Sequence, residues 1–296
     1  MPAPPPDSLA WNDALLRDPH HVRDKRQRVQ KMFAAIAPSY DLNNRLHSLW
    51  MDQAWRRKAV KLASLKPSDV VVDVACGTGD LTLQFARSIW KSRSHQARPD
   101  FAQVIGIDFT FEMLPIAREK AGWSDRDSKI AVARAEVDRR SAFVDWKEDD
   151  YREPRRVGQL VRFVNGDAQS LPLPDTSADV VSIAFGIRNV QDPAAAIREF
   201  RRVLRPGGRL IILEFSLPTN RVLRGFYNFY FRQILPRTAT LISGDKTGAY
   251  KYLPESVNTF IGREQTMGMM RDAGFADVEQ HPMTFGVCVC YRGRVR

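Results

Sequence analysis

Cysteine is scarce in this chain, with three in 296 residues, at positions 76, 288 and 290. Three thiols cannot build a disulfide framework, and no Cys-x-x-Cys pair or histidine cluster accompanies them to suggest zinc. No metal is expected. Long apolar runs are missing too: Leu210–Leu213 is typical, far below the ~18 residues of a membrane-spanning helix. An integral membrane protein is not expected. The start, Met1 to Asp7, has neither the basic region nor the apolar stretch of a secretory signal, so a reducing cytoplasm is the expected compartment. Acidic residues are in deficit. There are 34 Asp and Glu against 45 Lys and Arg, a net charge of +11. Such a surplus points to a polyanionic partner: nucleic acid, an anionic membrane surface or a phosphorylated substrate.

What is present is ordinary for a globular protein, with 44% hydrophobic and 27% charged residues and enough chain for a sizeable core. The basic excess is local, because nine arginines and two glutamates stand between Arg198 and Arg237. Residues 1–20 are proline-rich and polar and read as a loose tail. Val29, Met32, Phe33 and Ile36 recur at helical spacing until Pro38, and a second helical pattern runs from Leu42 to Leu65. Residues 21–66 therefore read as an N-terminal helical cap, and 67–296 as the main domain.

In that domain five apolar runs, Asp69–Ala75, Gln103–Asp108, Gln159–Val164, Ala178–Phe185 and Arg209–Phe215, alternate with helical stretches near 80–90, 111–121 and 193–204. Continuous apolar runs, rather than alternating ones, mark strands of a parallel sheet covered by helices on both faces. Arg205-Pro-Gly-Gly208 reads as a helix stop and turn. A helix near 263–273 and two closing strands, Ala276–Gln280 and Thr284–Tyr291, spaced to pair as a hairpin, complete an α/β fold. Its sheet is doubly wound, mostly parallel and seven-stranded. Ala121–Leu160 interrupts the rhythm with nine basic and nine acidic residues and reads as a surface insertion.

The segment Val71-Val-Asp-Val-Ala-Cys-Gly-Thr-Gly-Asp80 carries the most chemistry. A strand delivers Asp73, and Gly77 and Gly79 permit a tight turn that a ligand can approach closely before a helix N-terminus begins. The spacing is not the Gly-x-Gly-x-x-Gly of dinucleotide sites. A carboxylate two residues before Ala75 disfavours a pyrophosphate and suits a cation such as the sulfonium of S-adenosylmethionine. Asp108 ends the second strand, where a carboxylate can grip a ribose diol; its plain alternative is a helix cap. In Asn165-Gly-Asp-Ala168, Asp167 can accept from an adenine amino group beside the small Ala168.

With Phe185-Gly-Ile-Arg-Asn-Val190, Phe200-Arg-Arg-Val-Leu-Arg-Pro-Gly-Gly208, Leu213-Glu-Phe-Ser216, Ile36-Ala-Pro-Ser-Tyr-Asp-Leu-Asn-Asn44, Gly244-Asp-Lys and Tyr252-Leu-Pro-Glu-Ser256, the chain resembles the ubiquinone/menaquinone biosynthesis C-methyltransferases over about residues 26–290, minus the insertion. The resemblance implies a Rossmann-like class I methyltransferase that moves methyl from S-adenosylmethionine to a ring carbon of a polyprenylated quinol. Demethylmenaquinol is the first expectation and 2-polyprenyl-6-methoxy-benzoquinol the second; Asp52 before Trp55-Arg-Arg57 leans toward the first. The family's cofactor contacts fall on Thr78, Asp108, Asp167 and Ala168. Three positions depart from its pattern: Ala184 replaces a customary Ser, Trp50 a customary Gly, and His47 an apolar residue.

Methylation at carbon needs electron density that rises when an adjacent hydroxyl loses its proton, and a phenol of pKa ~10 needs a base or a cation to do so near neutrality. Arg188 offers a positive fork, Asn189 a donor to a ring oxygen, and Tyr40 a relay to water or to Asp108; these are the expected catalytic residues. Cys288 and Cys290 are expected to be buried. Arg221–Leu235, read as one helix, sets Val222, Leu223, Phe226, Tyr230 and Ile234 on one face and Arg221, Arg224, Asn228 and Arg232 on the other. That pattern fits either a helix at an anionic membrane surface or a lid over the pocket. The expected partners are the quinol and the inner face of the cell membrane, with a homodimer left open and no nucleic acid. A nucleic-acid methyltransferase would carry an Asn/Asp-Pro-Pro-Tyr type loop after the fourth strand, and residues 185–190 carry none. A non-enzymatic cofactor-binding scaffold would keep Asp108 and lose Tyr40, Arg188 and Asn189.

Overall fold

The computed structural model describes residues 9–92, 103–122 and 157–296. Residues 1–8 and most of the insertion read at 121–160 lie outside the described residues. The strands are β1 (Val71–Val74), β2 (Val104–Asp108), β3 (Val161–Asn165), β4 (Ala178–Ala184), β5 (Leu204–Phe215), β6 (Phe275–Met283) and β7 (Cys288–Val295). They form one sheet in the order β3-β2-β1-β4-β5-β7-β6. Strands β1 to β5 run parallel, and β7 runs antiparallel to both β5 and β6.

Ten α-helices are described: α1 (Lys25–Ile36), α2 (Tyr40–Ser48), α3 (Met51–Leu62), α4 (Asp80–Ser92), α5 (Met113–Lys120), α6 (Pro193–Val203), α7 (Arg221–Phe229), α8 (Leu235–Ser243), α9 (Ala249–Asn258) and α10 (Arg263–Asp272). Trp55 of α3, Phe85 of α4 and Leu114 of α5 pack with Val71 and Val180 on one face of the sheet. Ile197 and Phe200 of α6 and Met270 of α10 pack with Val72 and Val181 on the other. Neighbouring residues of β1 and β4 thus enter opposite cores, which explains their unbroken apolar sequence. A third core joins α1 to the later helices through Met32, Ile36, Tyr227, Phe231 and Tyr252.

Several boundaries differ from the sequence reading. The described part of the expected loose tail is docked: Trp11 is 5% exposed and stacks on Tyr252 at 4.4 Å. An indole buries about 150–250 Å², enough to anchor a segment whose composition reads as loose. The helix expected over 42–65 breaks into α2 and α3 at Leu49 and Trp50, both left-handed, with φ of 51° and 60°. Glycine usually marks such a break, and Trp50 hides it. Strand β5 begins at Leu204 and absorbs the expected turn at 205–208 as an irregularity in its pairing with β4, with Gly207 at φ 77°. The last strand starts four residues late because Thr284–Gly286 forms a 3₁₀ turn. The single helix expected over 221–235 is α7 followed by a π-helical turn, Tyr230–Ile234. Tyr227, Phe231 and Leu235 face inward, while Val222 and Phe226 remain 67% and 71% exposed. Cys288 and Cys290 are buried, and burial pushes the Cys290 thiol up to about 12.

Candidate functional site

After β3 the chain returns to the far side of β1 as β4, so β1 and β4 form the switch point where ligands bind in open α/β sheets. A cleft lies there, at the carboxyl ends of the strands. Ala75 and Gly77 line it after β1, Asp108 to Thr110 after β2, Gly166 to Gln169 after β3, and Ala184 to Gly186 after β4. The cap closes it with Arg26, Val29, Phe33 and Tyr40, and Asn189 to Gln191 complete the rim.

Glycine is required at two of these turns. Gly77 has φ 55°, and a Cβ built there meets only Tyr40, at 3.9 Å, so the backbone lies open toward the cap. At Gly186 a Cβ would stand 2.6 Å from Ala75 Cβ, and any side chain would force β1 and β4 apart. The Gly77 N–H donates to Asp108 Oδ2 at 2.7 Å and the Thr110 N–H to Oδ1 at 2.7 Å. Burial nonetheless raises the Asp108 carboxyl to about 6, against the lowering effect of those donors. Asp167 Oδ1 accepts from the Gln169 N–H at 2.9 Å, while Oδ2 lies 3.1 Å from Arg26 Nη2.

Of the residues singled out from sequence, Tyr40, Gly77, Asp108, Asp167, Ala168 and Asn189 meet in this cleft. Asp73, Thr78, Gly79 and Arg188 do not line it. Asp73 is 1% exposed and accepts from Thr82 Oγ1 and Ser182 Oγ, each at 2.6 Å. It ties β1 to α4 and β4, and burial raises its pKa to about 6. Thr78 donates to Asp41 Oδ1 at 2.6 Å and is 2% exposed. Gly79, at φ 82°, packs against Ala117 and Phe163, where an added Cβ would lie 3.1 Å from each.

Arg188 is placed differently from the sequence expectation. It is 4% exposed, and its Nη1 donates to Glu214 Oε1 at 2.6 Å and to the Phe185 carbonyl at 2.8 Å. Its fork braces the loop after β4 and does not line the cleft. Asn189 does line it, with Nδ2 donating to Phe185 O at 3.2 Å and Oδ1 accepting from Tyr252 Oη at 3.0 Å. Tyr40 stands edge-on to Phe33 at 6.0 Å. Burial raises its pKa, partly offset by Arg56 and by a hydrogen bond with Asn44. The Asp108 oxygens accept from the Gly77 and Thr110 amides, and among the described residues no direct hydrogen bond joins Tyr40 to Asp108.

Other residues of the site escaped the sequence reading. Asp41 joins Thr78 and Lys120, and Lys120 also binds Asp80, which Arg45 meets at 3.0 Å, so the cap is bolted to the glycine turn by charge. Tyr252 and Arg26 were likewise missed. Tyr252 sits in the Tyr252–Ser256 motif, and Arg26 in the run Arg23–Lys31, whose basic residues read from sequence as a solvated helix face.

An adenosyl cation fits these residues. Asp108 offers a carboxylate at the end of β2, Gly77 an unobstructed backbone, and Asp167 a rim acceptor beside the small Ala168. Ala184 lines the cleft without a hydroxyl, so a donor at that position must come from backbone. Among the described residues no cluster of potential metal ligands occurs.

Fold and cleft together define the class, a Rossmann-like class I S-adenosylmethionine-dependent methyltransferase. Solved structures share the fold: a Thermotoga maritima protein described as a possible histamine N-methyltransferase aligns with a TM-score of 0.52 at 20% identity, covering 90% of this chain and all of the other. The model of the ubiE/COQ5 methyltransferase family matches residues 21–138 and 145–294, and this chain belongs to that family. Its relatives include demethylmenaquinone methyltransferase of Thermus thermophilus, 41% identical over 88% of this chain and 99% of the relative. The enzyme of that name from Deinococcus radiodurans is 39% identical over 93% and 95%. The ubiquinone/menaquinone biosynthesis C-methyltransferase UbiE of Geobacter sulfurreducens is 36% identical over 93% and 91%.

Proposed function

We propose that the chain methylates a ring carbon of a polyprenylated quinol with S-adenosylmethionine as donor, and that demethylmenaquinol is its principal acceptor. The observation that carries this reading is the meeting of Asp108, Gly77 and Asp167 with Tyr40 and Asn189 in one cleft, in a chain 39% and 41% identical to two demethylmenaquinone methyltransferases. S-adenosylmethionine, when bound, supplies an electrophilic methyl group on a sulfonium. Asp108 would hold the ribose hydroxyls and Asp167 the adenine amino group.

On the acceptor side the tools are hydrogen-bond donors. Tyr40, kept protonated by its raised pKa, and the second N–H of Asn189 can meet a quinol oxygen and stabilise charge developing on it. Arg56 lies over the Phe185 ring at 5.1 Å but is paired with Asp52, and Arg188 is paired with Glu214. Neither presents a free cation to the substrate. Phe33, Phe185 and Val29 exclude water from the reacting carbon. Methyl transfer with labelled S-adenosylmethionine to each reduced quinone tests this reading. Demethylmenaquinol is expected to be the faster acceptor, and a faster benzoquinol would reverse the assignment.

We further infer peripheral membrane contact at the inner face of the cell membrane. Val222, Phe226, Phe229 and Leu241 are 67%, 71%, 62% and 86% exposed. Tyr230 Oη, 3.0 Å from His47 Nδ1, joins this surface to α2, next to the exposed Leu49 and Trp50. Arg221, Arg224 and Arg237 are exposed beside it, a charge pattern suited to anionic lipid. Among the described residues no helix is long and apolar enough to cross a membrane, so a bilayer quinol would be met at the surface. Co-sedimentation with anionic liposomes tests this: retention at low salt that weakens at high salt supports it, and no retention at either rejects it.

A further inference from the structure

We propose that Arg26 is a cofactor-retaining residue that clamps α1 as a strap over the adenosyl end of the cleft; this rests on the reading of the cleft as the S-adenosylmethionine site. Three loops converge on that end, following β2, β3 and β4, and all three are tied to α1 or the residues just before it. Gln30 Nε2 donates to the Phe109 carbonyl at 3.3 Å. Arg26 Nη2 lies 3.1 Å from Asp167 Oδ2. Lys25 Nζ donates to the Val190 carbonyl at 2.6 Å, and Gln191 Nε2 to Val22 O at 3.5 Å. Val29 and Phe33 of the same helix line the cleft, so the strap is polar at its edges and apolar where it faces the ligand.

Arg26 touches two of the residues that line this end of the cleft, Phe109 and Asp167. Its Cζ stands 4.6 Å from the centroid of the Phe109 ring, and its fork pairs with Asp167. The Gln169 N–H takes Asp167 Oδ1, so the two contacts together fix the rotation of the carboxylate. An ionised carboxylate oxygen has two acceptor directions; Oδ2 can therefore receive an adenine amino group while still paired with Arg26. In the proposed clamp the guanidinium takes the outer side of both groups and leaves the inner side to the ligand. Cofactor exchange then requires the ion pair to open and α1 to lift. Arg26 is half exposed, with its side chain at 55% and that of Asp167 at 22%, so the latch is accessible to water and sensitive to salt.

The competing reading is a surface ion pair with no consequence, the usual fate of exposed pairs. Binding of S-adenosylhomocysteine separates the two, measured by calorimetry together with stopped-flow displacement in the wild type, Arg26→Ala and Arg26→Lys. Melting curves establish that each variant is folded. Arg26→Ala is expected to raise Kd about tenfold through faster dissociation, with association nearly unchanged. Arg26→Lys, which keeps the charge but loses the planar fork and stacking, is expected to recover part of the loss. High salt should speed dissociation of the wild type more than that of Arg26→Ala. Kd and dissociation rate within twofold of wild type would overturn the proposal. So would tighter binding by Arg26→Ala, which would mean that Arg26 occupies the adenine's place. Failure of the wild type to bind S-adenosylhomocysteine would instead reject the cofactor-site reading.

Discussion

On the side of the cleft formed by the loops after β1, β2 and β3, each carboxylate already has its partners. Asp73 is held by Thr82 and Ser182, Asp108 by the Gly77 and Thr110 amides, and Asp167 by the Gln169 amide and Arg26. On the far side, from α2 to α8, the surface is apolar and open, with Leu49 79% exposed and Leu241 86%. The first region is organised in advance for one small polar ligand. The second presents area rather than hydrogen bonds, as suits an acceptor carrying a long apolar tail. The loop after β4 joins them: Arg188 braces it from behind, and Asn189 faces the cleft.

If that division is right, the largest effect belongs to the brace. Arg188→Ala leaves Glu214 as an unpaired charge whose side chain is 3% exposed, and breaking a buried pair from one side destabilises by about 3–5 kcal/mol. Tm should fall by on the order of 10 °C, and joint replacement by Arg188→Met and Glu214→Gln should recover much of the loss. A variant that keeps its Tm and loses only turnover would restore the phenolate-stabilising role that the sequence suggested for Arg188.

Next comes the cofactor loop. Asp108→Asn removes the charge from the proposed ribose contacts, an expected loss of about 1.5–3 kcal/mol, or roughly 10- to 100-fold weaker binding of S-adenosylhomocysteine. The same group sets a pH dependence. Burial raises its pKa to about 6 from an ordinary 3.8, so between those values the folded, ligand-free protein keeps a proton that the unfolded chain has lost. Its contribution to stability therefore falls as pH rises through that window. Ribose recognition needs the carboxylate, so affinity should rise over the same window and level off above it. Calorimetry across the window checks the sign; an affinity indifferent to pH would place the ribose elsewhere.

The smallest effect on the folded state is expected at the surface proposed to meet the membrane. Phe226→Glu changes an exposed side chain and should alter stability by no more than ~0.5 kcal/mol, while retention on anionic liposomes drops several-fold. A large loss of Tm would mean that Phe226 packs within the protein, as a lid would require.

The fold was legible because β1 and β4 send consecutive residues into two cores, leaving unbroken apolar runs between helical repeats. The strand-end acids Asp108 and Asp167 were legible because a parallel sheet gathers its loops at one edge. Partnerships across the chain were not. Glu214 lies 26 positions from Arg188 and Tyr252 lies 63 from Asn189, and no local pattern announces either contact. Arg188 therefore read as a cation free for substrate, when burial had already assigned its charge. The break at Leu49 and Trp50 carried no glycine, and the π turn after Phe229 rotates a helical face with no change in composition.

In the proposed function cofactor retention and acceptor activation reside in separate groups, with Asn189 on the acceptor side. Measuring kcat with demethylmenaquinol and the Kd of S-adenosylhomocysteine for Asn189→Ala tests it most directly. The expected result is a loss in kcat on the order of 10²-fold with Kd within threefold of the wild type. Equal losses in both, or an unchanged kcat, would contradict the account.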